Sequence, residues 1–579
     1  MRNIKRIPLL LIAAIFFNLV GCLPMSEAQI AKQAQNRYQN IIQPTPEAES
    51  KEKSGKTRNA NDLADEQVLR LSGRDFYNMD PANAYNLEWV LFNQLFIGLT
   101  RQDPESQEFQ PAMAKDWNQS ADGLTWTFTL REGIPWVSYD AATGQVAEVK
   151  DDQGNTRMVT AADFKAGILR VVDPAMYSGN AFLLFNITGA QDYFAYAGSE
   201  DQIGIQTPSD TELVIQLSQP QAGLDALTEL PIFSAFPSWA SIGQTALTYF
   251  YGPYVVKEYL PGEKMTLVRN PFWPDSKELP QAVLEEIDFN LQSGQDAITA
   301  FQNGEFDGLQ VYPEEYATIK ENIELKDKIA ISTGSCGYYL VFNNVDLAPL
   351  ETPAARQAIA AAIDKEKIND TVFGGTGQAL NQYAPAFLRG SKDYGGAIGI
   401  PFDPESAKAK FDELGYVGIP LTLTTPDSAN YLSMANRIKE DLETNLGFSI
   451  TIDSYPWSDY ISQVMYNSYA SGMYLRGYCL DFADAENLWD RWLDESFFVD
   501  VANGRWLNQD FFDTLNMAKG TVNLNDRVKF YQKAEEIIVN QDSVIIPLVW
   551  SSNIWLVNPK LDASFPALYP QLEDWAFVK

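Results

Sequence analysis

Histidine is absent from this chain, and lysine and arginine are scarce: 43 against 76 aspartates and glutamates in 579 residues. Without histidine there is no Ser-His-Asp or Cys-His pair to activate a nucleophile and no HExxH zinc site. No imidazole is left for a transition metal either. The formal charge of -33 excludes nucleic acid as a partner, because phosphate contacts need clustered Lys and Arg. It also disfavours electrostatic docking on anionic lipid and reads best as a solvated acidic surface. GxSxG, GxxxxGK[ST], GxGxxG after a strand and the EF-hand loop are all missing. Carboxylate-pair chemistry survives these exclusions, but a glycosidase needs two carboxylates roughly 5–10 Å apart, and no feature nominates such a pair. A binding protein is therefore expected, with no catalytic residue, no cofactor and no metal.

Cysteine is rare as well, with three in all: Cys22, Cys336 and Cys479. The first lies where a processing signal ends. Arg2, Lys5 and Arg6 form a positive start, and Ile7 to Val20 is an uncharged, mostly apolar run. That run is short for a membrane span, which needs about 20 residues. It closes in Leu19-Val20-Gly21-Cys22, which resembles the lipobox of bacterial lipoproteins; the other reading is an ordinary signal peptide with an incidental cysteine. The lipobox resemblance implies a signal peptide over 1–21 and a diacylglycerol thioether on Cys22, anchoring the protein outside the cytoplasm. Residues 22–61 include QPTPEAESKEKSGKTRNA, a polar tether that would span on the order of 35 Å as a random coil.

The rest of the chain is ordinary globular sequence, 45% hydrophobic and 21% charged overall, and too long for one core. VLRLSG (68–73) and LTWTFTLREG (124–133) alternate as strands, the second with Trp126, Phe128 and Leu130 on one face. Thr160-Ala161-Ala162-Asp163 reads as a capping box. Thr352-Pro353 opens a helix running through AARQAIAAAIDKEK. DRVKFYQKAEEIIVNQ (526–541) is an amphipathic helix burying Phe530, Ala534, Ile537 and Ile538, and VIIPLVW (544–550) is a buried strand. Strands and helices alternate, so the class is α/β.

Taken in order, these segments resemble the peptide- and oligopeptide-binding proteins of bacterial ABC importers, the extracellular solute-binding proteins of family 5. The blocks are Met79-Asp80-Pro81 with VLFNQLFIGLTRQD, PAMAKDWNQSADGLTWTFTLREGIPW (111–136), VTAADF (159–164), GPYVVKEYLPGEKMTLVRNPFW (252–273), NGEFDG (303–308), GYYLVFNN (337–344) and GYCLDFADAENLW (477–489). The stretch 139–158 is longer than the family's turn and reads as an inserted hairpin. The resemblance implies a two-lobed, hinge-closing periplasmic-binding-protein type II fold. Lobe I would comprise 62–105, 232–333 and 540–579, with an extra subdomain at 106–231. Lobe II would be 334–539, with crossing strands near 333–337 and 539–545. It also implies a monomer that holds a peptide between the lobes and passes it to an ABC permease and ATPase complex.

In that family an aspartate in a G-W-x-A-D-Y motif meets the ligand's ammonium. Gly477, Tyr478, Asp481 and Phe482 fall on it, with Tyr478 and Phe482 as an aromatic wall. Asp481 is thereby assigned to the peptide's amino terminus; otherwise it only caps the helix before ENLWDRW. Across the cleft, the segment holding Tyr85 and Asn86 falls where family members pair with the peptide backbone, or forms a structural loop. Cys336 and Cys479 match positions that some members bridge; the alternative is two free thiols. An oligosaccharide remains the alternative ligand, since exposed rings suit sugar faces, although most of the 13 Trp, 27 Tyr and 32 Phe are expected in the core.

Overall fold

The computed structural model describes residues 60–579 apart from 74, 77–78, 84–85, 104–107, 241–247, 277, 293–295, 343–348, 417, 466–471 and 494–505. Cys22, the signal segment, the tether up to residue 59 and Tyr85 therefore lie outside the described residues. A mixed sheet of eleven strands runs through the whole body. Ten are taken in chain order as β1 (Val68–Ser72), β2 (Tyr254–Leu260), β3 (Lys264–Arg269), β4 (Glu286–Asn290), β5 (Gly308–Val311), β6 (Ile329–Phe342), β7 (Pro420–Pro426), β8 (Ser449–Tyr455), β9 (Met473–Cys479) and β10 (Ile545–Val557). Across the sheet they lie β2-β3-β4-β1-β5-β10-β6-β9-β7-β8, and Gln378–Ala379 pairs with β10.

Two long strands join the halves. The Ile329–Thr333 end of β6 pairs antiparallel with Leu556–Ser552 of β10; the register then shifts, and Gly337–Val341 pairs with Trp550–Ile545. At the shift the Trp550 indole donates to the Gly334 carbonyl at 2.7 Å, and the Cys336 N–H donates to the Ser551 hydroxyl at 3.1 Å. Residue 334 must be glycine because a Cβ there would collide with Ser551. Beyond the shift, Tyr339 and Val341 enter one core cluster while Leu340 and Phe342 enter another. A strand buried on both faces needs such a continuous apolar run.

The first core cluster draws on residues 69–291, on Phe482 and Ala483, and on the C-terminal Leu561, Leu572, Trp575 and Phe577, whereas the second and third draw on 339–550. A four-stranded antiparallel sheet of Ala114–Gln119, Thr125–Leu130, Glu212–Gln216 and Ile205–Ser209 feeds the first cluster. Trp126, Phe128 and Leu130 are buried on one face, as their alternation requires. Helix Ala161–Val172 opens with the capping box, the Thr160 N–H donating to Asp163 at 2.9 Å. Val137–Asp140 and Gln145–Glu148 pair as a hairpin that runs into the stretch 139–158. Two boundaries differ from expectation. The helix from Pro353 stops at Ala361 because Asp364 caps a new helix, Lys365–Val372, by accepting the Lys367 N–H at 3.0 Å. The strand expected at 544–550 continues to Val557 as β10. In the helix before it, Tyr531 takes the buried place expected of Phe530, which is half-buried.

Four glutamates among the described residues are shifted far upward by desolvation. Burial pushes Glu229 and Glu573 up to about 7, and Glu486 and Glu535 up to about 8. Each keeps its proton in the fold at a pH where the unfolded chain, at an ordinary value of 4.5, has lost it. Unfolding then releases protons between about pH 4.5 and 8, so stability falls as pH rises through that window. The melting midpoint is expected to be several degrees higher near pH 5.5 than near pH 8, and Glu535→Gln should narrow that difference. A midpoint that rises over the same interval in a pH series of thermal melts contradicts this.

Candidate ligand-binding site

Strand β9 delivers the motif. Gly477 pairs with Tyr338 of β6, and the Tyr431 hydroxyl lies so close that any Cβ at 477 would strike it. Cys479 ends the strand directly opposite Cys336, with Cα atoms 3.9 Å apart and the two sulfurs bonded. The bridge ties the start of the next loop to β6 at the joint between the halves.

Asp481 stands two residues further on, its side chain 18% exposed. Its Oδ2 accepts the Tyr478 hydroxyl at 2.9 Å and the Asn487 amide at 3.2 Å, and lies 3.8 Å from the Arg491 guanidinium. The Asp481 N–H donates back to Asn487 Oδ1 at 2.9 Å. Arg491 in turn donates from Nε to the Tyr478 hydroxyl at 3.2 Å and lies 4.4 Å over the Phe182 ring. Burial, and then the neighbouring Asp481 charge, push the Tyr478 hydroxyl well above its ordinary value, so it serves as a donor. Among the described residues, every partner of this carboxylate meets it at Oδ2. Oδ1 keeps its lone pairs for another donor. A charged donor there would gain a carboxylate already oriented by three neighbours.

The remaining motif residues behave differently. Tyr478 serves Asp481 through its hydroxyl. Phe482 is 4% exposed and packed in the first core cluster, so it does not wall a ligand pocket here; its apolar ring docks into the other half. Across from Asp481, Tyr569 donates to the Asp481 backbone carbonyl at 3.5 Å, and its ring meets Trp89 at 5.2 Å. Asn86 begins the helix Asn86–Leu95 that carries Trp89. The sequence gives no sign of Asn487, Arg491 and Tyr569 as site residues; none stands in the G-W-x-A-D-Y motif, and only folding brings them to Asp481.

The sequence profile of the bacterial extracellular solute-binding proteins, family 5, matches residues 108–498, more than half of the chain. The chain belongs to this family. Its members are solute-binding proteins rather than enzymes, and they work outside the cytoplasm. Relatives include the dipeptide-binding protein DppE of Bacillus subtilis, 24% identical over 505 residues that cover 83% of this chain and 86% of DppE. The oligopeptide-binding protein OppA of the same organism is 25% identical over 496 residues, covering 81% and 85%. Among solved structures, an unliganded open form of the murein tripeptide binding protein MppA superposes with a TM-score of 0.74 at 23% identity, covering 90% of this chain and 98% of MppA. The Haemophilus influenzae OppA complex with the peptide RPPGFSPFR gives 0.64 at 20% identity, covering 89% and 100%. This family-5 chain thus has the two-lobed type II fold.

Proposed function

We propose that this protein captures peptides between its two lobes and delivers them to the permease and ATPase complex of an ABC importer. One observation carries the reading: a family-5 chain presents, in the family's motif, a carboxylate with one oxygen held by its neighbours and the other without a donor among the described residues. That is the partner a peptide's free ammonium needs when it leaves water. Relatives whose names specify dipeptides and oligopeptides support it. Affinity for varied sequences would come from the ammonium and the peptide backbone, with bridging waters filling roomy side-chain pockets. Titration calorimetry with a free-amine peptide such as trialanine tests the reading. Saturable binding is expected, and no binding of any short peptide contradicts it.

Lobe I is drawn as 62–105, 232–333 and the chain after Ser551, with 106–231 as its subdomain, and lobe II as 334 to about 550. The second crossing is set later than 539–545 because β10 pairs with β6 on both sides of the register shift. The protein is taken to act as a monomer, tethered to the membrane by lipid on Cys22; no helix among the described residues is long and apolar enough to cross a membrane. Cys22→Ala should move the protein from the membrane to the soluble fraction in its host. Fractionation of the variant with membranes as fully as the wild type contradicts the anchor.

A further inference from the structure

Three residues beyond Asp481, charged side chains meet where the lobes touch. Arg389 donates from Nη1 and Nη2 to the two oxygens of Asp225, at 2.8 and 2.6 Å, and from Nε to Asp484 at 2.7 Å. Arg527 donates from Nη2 to the same Asp484 oxygen at 2.7 Å and from Nη1 to Glu486 at 3.4 Å. Glu486 also accepts the Gly223 N–H at 2.9 Å. Side-chain exposure is 11% for Arg389, 14% for Asp225 and 0% for Asp484.

These groups come from both sides of the joint. Leu224 and Ala226, which flank Asp225, belong to the first core cluster, and Leu388, beside Arg389, belongs to the second. The Asp481 loop itself crosses over: Leu480 lies in the second cluster, Phe482 and Ala483 in the first, and Ala485 in the second again. Two residues of lobe II are thus plugged into the core of lobe I, and Asp484 is the first residue on the way back. Asp484 takes both short guanidinium contacts and stays ionised. Glu486, with only the longer one, is the carboxyl that burial pushes up to about 8. Two guanidiniums thus converge on the one buried Asp484 carboxylate. A buried ion pair adds little net stability over apolar packing, but it fixes geometry, because each partner is costly to leave unmet.

We infer that Arg389 is a positioning residue for the ligand's amino terminus: by bracing Asp484 against Asp225 of the other lobe, it holds the 480–485 loop docked and presents Asp481 before ligand arrives. The inference rests on the reading of Asp481 as the ammonium's partner. Hydrogen exchange on the ligand-free full chain tests the brace without any ligand. Arg389→Gln should speed exchange of the 480–487 amides by about tenfold or more while β1 keeps its protection. Asp225→Asn, which leaves Arg389 with Asp484, should act in the same direction more weakly and serves where Arg389→Gln does not fold. Unchanged exchange in the loop overturns the brace. Titration with trialanine and N-acetyl-trialanine then tests positioning. Arg389→Gln should weaken the free-amine form about tenfold and the acetylated form much less; equal losses overturn it. Wild type that binds both forms equally would instead remove the Asp481 reading, and the amine role of Arg389 with it, whatever the exchange result.

Discussion

Removing the Cys336–Cys479 bridge is expected to cost about 5 kcal/mol, an upper figure from the chain entropy of closing a loop of 143 residues. Its effect is not confined to the unfolded state. The bridge clamps the end of β9 to β6 at the register shift, two residues before Asp481, so the loop that carries the candidate ligand contact starts from a covalently fixed point. The Cys336→Ser/Cys479→Ser double variant should unfold at a markedly lower urea concentration and bind ligand more weakly. An extracytoplasmic compartment permits the bond. Protein exported by its host, alkylated without reductant, should therefore show neither cysteine labelled in intact-mass analysis. Two labelled thiols, or equal urea midpoints for variant and wild type, contradict the assignment.

Strands with one buried face are legible in the sequence because their alternation is in the side chains themselves: Leu69 and Leu71 in β1, Trp126 and Phe128 in the subdomain. The hinge is harder. Ser551-Ser552-Asn553 looks like the end of an apolar strand, yet it is where β10 leaves the second and third core clusters and enters a smaller one, where Ile554 and Leu556 pack with Phe301, Leu309 and Val311, so polarity there marks a crossing instead of a turn. The helix from Pro353 is shorter than its sequence suggests because its apolar spacing persists past Ala361, while the Asp364 cap that starts the next helix acts through a single local hydrogen bond.

At the site, the motif sets Tyr478 and Asp481 three residues apart, and the fold joins them through a 2.9 Å hydrogen bond. The motif cannot tell which core Phe482 enters, since hydrophobicity reports burial and not the partner. Asn487 and Arg491 sit in ENLWDRW, which carries only a helical signal in the sequence. Tyr569 is 88 residues from Asp481, and Arg389 is 95 from Asp484. Contacts of that separation have no local pattern and are set by how the two lobes meet.

Asp481→Asn should weaken free-amine peptides by about 2 kcal/mol or more, roughly 30-fold, since a buried ammonium would lose its counter-charge. Arg491, 3.8 Å from the carboxylate, would add to the loss by repelling the ligand once Asp481 is neutral. Tyr478 and Asn487 can still hydrogen-bond an amide at 481, so the loop should keep its shape. N-acetylated peptides have no charge to lose and should bind wild type and variant alike. The central claim is therefore tested most directly by a calorimetric cycle of wild type and Asp481→Asn against trialanine and N-acetyl-trialanine. The account predicts a loss near 30-fold or more for the free amine and a change within about twofold for the acetylated form. Equal losses for the two forms would contradict it, and would mean that Asp481 supports the fold without reading the amino terminus.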